Sequence, residues 1–159
     1  MIDSVASARK EPAEASGEVG VVTRMELRQL AEDRIIDAAA LLAANRWSGA
    51  YYVAGYAVEC ALKACIAKLT NQDDFPRDRK FVEDCYNHDF ERLLKAAGLK
   101  PALDAEIAAK PVFATNWGIA KDWKESSRYE QKTQAEAQAL YDAITSVPER
   151  ILPWIRLRW

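Results

Sequence analysis

The sequence predicts an all-α protein: an antiparallel bundle of four to five main helices, with short helices in the middle connection. Three observations predict it. Apolar residues recur every three or four positions near both ends of the chain, as one face of a 3.6-residue period requires. The stretch Ala54-Gly-Tyr-Ala-Val-Glu-Cys-Ala-Leu-Lys-Ala64 is apolar or small at almost every position, the composition of a helix in the middle of a bundle. No segment has the period-two alternation of a strand.

The first helix spans about Val22 to Asn45, where Leu27, Ala31, Ile35, Ala38 and Leu42 form one stripe. The second opens at Trp47 or Ser48, with Ser48 as an N-cap, and runs to about Leu69. Gly55 inside it costs about 1 kcal/mol relative to Ala, which close packing of a neighbour would explain. Thr70 to Asp78 reads as a loop. A short helix follows over Arg79 to Tyr86, and another starts at Asn87 or His88 and stops at Gly98. Lys100-Pro101 begins a further turn or two. Pro111 suits the first position of the next segment, which carries Val112, Phe113, Trp117 and Ile119. Lys121 to Lys132 is polar and irregular. A long helix resumes near Thr133 with Ala137, Leu140, Tyr141 and Ile144, and Val147-Pro148 breaks it. Glu149 to Trp159 forms the last helix.

The 159 residues suit one domain and half of them are hydrophobic, enough for an ordinary core. Residues 1–22, rich in Ala, Ser, Glu and Gly, read as a disordered tail ahead of a bundle over 23–159. They lack the apolar core of a signal peptide. No apolar run approaches the ~18 residues of a membrane span, so the expectation is a soluble, cytoplasmic protein. The formal net charge of −2 gives no global drive toward nucleic acid; any such contact must come from a local basic patch. Cys60 and Cys65 lie about 140° apart around their helix and share no face. Cys85 and His88 offer two metal ligands with no further His or Cys to complete a site. The thiols read as small buried groups, and no metal or cofactor is expected. Nothing fits a P-loop, a Rossmann fingerprint, a Ser-His-Asp order or a paired-carboxylate helix.

Four landmarks occur in order. Arg46-Trp47-Ser48-Gly49-Ala50-Tyr51 follows the first helix. Ala57-Val58-Glu59-Cys60-Ala61-Leu62-Lys63-Ala64 lies in the second. His88-Asp89-Phe90 precedes Leu93-Leu94, and Ser127-Arg128-Tyr129 precedes an alanine-rich helix. This set resembles the HEPN family of small helical-bundle domains, over about Met25 to Trp154. Catalytic members are metal-independent ribonucleases that carry an Arg and, after four to six intervening residues, a His, usually paired across a dimer. Here eight residues separate the single histidine, His88, from Arg79, and no histidine follows Arg128. The ribonuclease motif is absent. The resemblance then implies a subfamily that partners small nucleotidyltransferases or other toxin–antitoxin and defence components, or that binds nucleotide or RNA without cutting it. A homodimer is expected.

Five groups of residues are candidates for function. Glu59 and Lys63, four apart, form either an intrahelical pair or a polar device facing a pocket or partner; buried charges require partners. His88 is a general base near neutral pH, a helix cap or a packed imidazole. Arg128 offers a planar fork for phosphate, with Tyr129 beside it, or else ties its loop to Glu59 or another carboxylate. Trp123, in a polar stretch, is a candidate for stacking on a base, whereas Trp117 suits the core. Trp154, Arg156 and Trp159 make an aromatic, basic C-terminus of the kind found at interfaces. The leading expectation is a non-catalytic binding domain using Glu59, Lys63, Arg128 and Tyr129. The alternatives are a ribonuclease with a rearranged Arg128/His88 site and a structural assembly module.

Overall fold

A computed structural model describes residues 22–70, 79–146 and 149–159. The described chain forms α1 (Arg24–Ala43), α2 (Trp47–Lys68), α3 (Arg79–Cys85), α4 (Phe90–Ala96), α5 (Lys100–Ala109), α6 (Pro111–Lys121), a 3-10 helix (Glu125–Tyr129), α7 (Gln134–Thr145) and α8 (Ile151–Arg156). No strand occurs among the described residues, and the all-α bundle is as the sequence predicts. The expected tail, the Thr70–Asp78 loop beyond its first residue and the break at Val147-Pro148 lie outside the described residues.

Helix α2 is the axis of the fold. From Ala57 to Ile66 it is buried at every position except Lys63, because α1, α4, α7, α8 and the 3-10 helix all pack on it. Such a helix needs apolar side chains nearly all round, which the Ala54–Ala64 stretch supplies. Helix α1 returns along it after a three-residue connection, burying Ala31 and Ala38 fully and leaning Leu27, Ile35 and Leu42 on the core. Leu140 and Ile144 of α7 and Leu152 and Ile155 of α8 close the other side.

Caps set several boundaries. Thr23 and Thr133 each accept a hydrogen bond from the backbone of a glutamate three residues on, and Glu26 and Glu136 accept in return from the threonine backbone, two reciprocal capping boxes. Helix α4 ends in a left-handed Gly98 (φ 68°) whose N–H reaches Lys95 O while Leu99 N–H reaches Leu94 O, the Schellman arrangement. One expected cap is not made. Helix α2 starts at Trp47 without a side-chain cap, and Ser48 Oγ instead accepts from Lys132 N at 2.9 Å. The hydroxyl satisfies a backbone group ahead of α7 rather than one of its own helix.

Trp123 corrects a second expectation. It is 2% exposed and lies against the α2 backbone: a Cβ built on Gly55 would stand 2.2 Å from the indole ring. Phe90 stacks on the same indole with centroids 5.2 Å apart. Gly55 is therefore the seat of Trp123, and the indole cannot stack on a base. For Gly55→Ala, the helix-propensity gain of about 1 kcal/mol competes with overpacking against a closed ring. Overpacking wins, with a net loss of about 2 kcal/mol expected. Urea unfolding checks this; an unchanged midpoint would show that the indole does not rest on this glycine.

Candidate functional site

One edge of α2 is only half covered. Tyr52, Tyr56, Glu59 and Lys63 follow each other along it at spacings of four, three and four, so they form one stripe. The rings of Tyr52 and Tyr56 lie parallel, 4° apart in plane with centroids at 6.4 Å, and Tyr52 also leans on Trp123 at 5.9 Å. At the far end of the stripe the carboxylate of Glu59 is 2% exposed.

That carboxylate is paired from two directions. Lys63 Nζ donates to Oε1 at 2.8 Å, from one turn further along α2. His88 Nδ1 lies 2.9 Å from Oε1 and 3.0 Å from Oε2. Because a carboxylate only accepts, Nδ1 carries a proton. His88 is not itself the cap of α4, one of the roles open to it from sequence. Its neighbour Asp89 is, accepting from Arg92 N at 3.0 Å, while Asn87 Oδ1 accepts from Asp89 N at 2.7 Å. These local bonds hold the turn that aims the imidazole at α2.

The second imidazole nitrogen faces another element. His88 Nε2 is 3.1 Å from Glu125 Oε2, at the start of the 3-10 helix, and the other oxygen of Glu125 accepts from Arg128 Nη1 at 2.5 Å. The Arg128 guanidinium sits over the Tyr129 ring, 4.9 Å from its centroid. Tyr129, Glu125 and Tyr52 beside it push its pKa further above the ordinary value. A continuous chain thus runs Lys63–Glu59–His88–Glu125–Arg128 across three separate segments. Only Glu59 in this chain is fully buried: the side chains of Lys63, Glu59, His88, Glu125 and Arg128 are 24%, 2%, 43%, 31% and 42% exposed, and Tyr129 is 79% exposed.

The structure therefore brings together Glu59, Lys63, His88 and Arg128, with Tyr129 at the outer edge. Arg128 does not touch Glu59 directly; His88 and Glu125 stand between them. Sequence reasoning missed Glu125 and the two tyrosines. Glu125 carried a signal in its three-residue spacing from Arg128, but such a pair looks the same on any solvated surface. The C-terminal candidates lie elsewhere. Trp154 and Trp159 are buried within the chain's own bundle, Arg156 is bidentate to Glu32 of α1, and Arg158 lies 4.0 Å over the Trp154 ring. Within the chain these residues fasten α8 to its neighbours.

The remaining chemistry of the region is quiet. Burial, followed by the neighbouring Cys60, pushes the Tyr56 phenol up to about 12. Burial likewise pushes the Cys60 and Cys65 thiols up to about 11, so both stay protonated near neutral pH and are poor nucleophiles. Among the described residues no group of His, Cys, Asp and Glu is arranged to hold a metal ion. A cleft of about 390 Å³ opens at the α1–α2 turn, beside Arg46, Trp47 and Lys132, away from the ionic chain. No protein-family model, curated protein or solved structure matches the chain.

Glu59 is the member that cannot rehydrate. Glu59→Gln keeps the shape and loses the charge-assisted bonds, so it should lower stability by about 1–2 kcal/mol. The Lys63→Met/His88→Ala double variant leaves the carboxylate buried without these partners, and should lose about 3 kcal/mol or more. Urea midpoints check both. A double variant as stable as the parent would show that the Glu59 charge needs neither partner.

Proposed function

We propose that this chain is a non-catalytic helical-bundle domain of the HEPN kind that acts by binding, and that its ligand is RNA or a nucleotide met at the Lys63–His88–Arg128 edge. The observation that carries the reading is the convergence of three basic side chains, joined through the Glu59 and Glu125 carboxylates, beside a pair of half-covered tyrosines on one edge of α2. Arginine and lysine meet phosphate oxygens, and aromatic faces take bases without sequence preference. The overall charge of −2 makes this local cluster the means of holding a polyanion. A second copy of the chain or a nucleotidyltransferase-like protein is the protein partner implied by the family resemblance, and the proposal includes both.

A second reading, cleavage of RNA, is favoured by one observation: His88 and Arg128 stand on the two oxygens of a single carboxylate, although forty residues separate them. Glu59 also holds the proton on Nδ1, as the carboxylate of a catalytic dyad does. His88 Nε2 would take the proton of a ribose 2′-hydroxyl. Its oxygen would attack the phosphorus, and the 5′-oxygen would leave with a 2′,3′-cyclic phosphate behind, while Arg128 met the charge on the phosphoryl oxygens. Binding remains the better-supported reading, because Nε2 and the guanidinium both face Glu125 rather than open solvent.

Incubation of the pure protein with total RNA in EDTA, beside gel-shift measurements, separates the two. The binding reading expects RNA or nucleotide to bind without cleavage, and Arg128→Ala to weaken binding about tenfold, the worth of one charge-assisted contact. Metal-independent cleavage lost in His88→Ala or Arg128→Ala would establish a ribonuclease instead. No binding to RNA or nucleotide would remove both readings.

A further inference from the structure

We infer that Glu125 is a built-in occupant of an oxyanion subsite between His88 Nε2 and Arg128, and that a phosphate-bearing ligand enters by displacing its carboxylate. The inference rests on the proposed binding of RNA or nucleotide and adds how that binding is held back.

Geometry is the first support. One carboxylate oxygen faces Nε2 at 3.1 Å and the other accepts from Nη1 at 2.5 Å, the bridging position that a phosphate with two oxygens would take. Charge is the second. Lys63 and Arg128 balance Glu59 and Glu125 before His88 is counted, and the proton that Nε2 needs to face a carboxylate adds one positive charge. With the Glu125 carboxylate swung out, the remaining groups carry a net positive charge that faces solvent. Position is the third. Glu59 is 2% exposed and fixed inside α2, whereas the Glu125 side chain is 31% exposed. Its backbone is anchored by other groups: Trp123 sits under the segment on Gly55, and Ser127, itself 2% exposed, donates from Oγ to Lys124 O at 2.6 Å. Rotation of one side chain therefore opens the subsite without unseating the 3-10 helix. Exposed ion pairs of this sort contribute little to stability, and a phosphate group brings more oxygens and more charge than the carboxylate it replaces.

Calorimetric titration with pyrophosphate and anisotropy with a labelled RNA test this on the full chain, with parent, Glu125→Gln, Glu125→Ala and Glu125→Ala/Arg128→Ala proteins. Both single variants should melt with the parent and bind pyrophosphate about tenfold tighter, the order of one lost internal competitor. The double variant should lose the gain. Pyrophosphate binding no tighter than the parent's in the folded single variants overturns the inference. If RNA nonetheless binds through Arg128, the proposed function survives that failure. A gain for pyrophosphate with no RNA or nucleotide bound by any of the proteins leaves the subsite standing and removes the proposed ligand.

Discussion

A carboxylate at the centre of an apolar helix is the constraint on which the site depends. Desolvating Glu59 would be prohibitive for an unpaired charge, so the fold must bring it partners. One comes from its own helix: Lys63, a turn away, snorkels to the edge with its ammonium still on Glu59. The other comes from across the bundle as His88. The choice of an imidazole has consequences that a second lysine would not have. Its first nitrogen closes the buried pair, and its second is left pointing outward, where a third segment meets it through Glu125.

The packing around the site serves the same placement. Gly55 lets the Trp123 indole lie directly on the α2 backbone, and that contact brings the following 3-10 helix to within reach of His88. Glu59 is held inside the bundle by burial and by its two partners. The exposed end is soft because Glu125 and Arg128 are bound by surface pairs of modest strength. A site that is fixed at its root and adjustable at its mouth suits binding of a flexible polyanion: the protein bears little ordering cost beyond the release of one side chain.

Local signals in the sequence were enough for most of the fold. The α1 stripe, the Thr133 start of α7, the Gly98 stop and the all-round apolar α2 each depend on residues within a turn or two, and periodicity reads such patterns directly. Features decided by distant residues were read less well. Ser48 looks like a cap until Lys132, 84 positions later, takes its hydroxyl. Trp123 looks exposed among charges until Gly55 provides its seat. Trp154 and Trp159 look like an interface until the bundle closes over them. The site divides in the same way. Glu59 and Lys63 stand out because charge is rare on α2 and their spacing is local, while Glu125 does not, because its significance comes from an imidazole 37 residues away.

The single histidine of the chain makes the central claim directly measurable. In a ¹⁵N-resolved spectrum of the imidazole region every signal belongs to His88. If a buried Glu59 holds this ring, the proton on Nδ1 is hydrogen-bonded, shifted downfield and slow to exchange with water, and it loses that protection in Glu59→Gln. A freely exchanging imidazole, with both nitrogens averaged and no response to Glu59→Gln, would contradict the account.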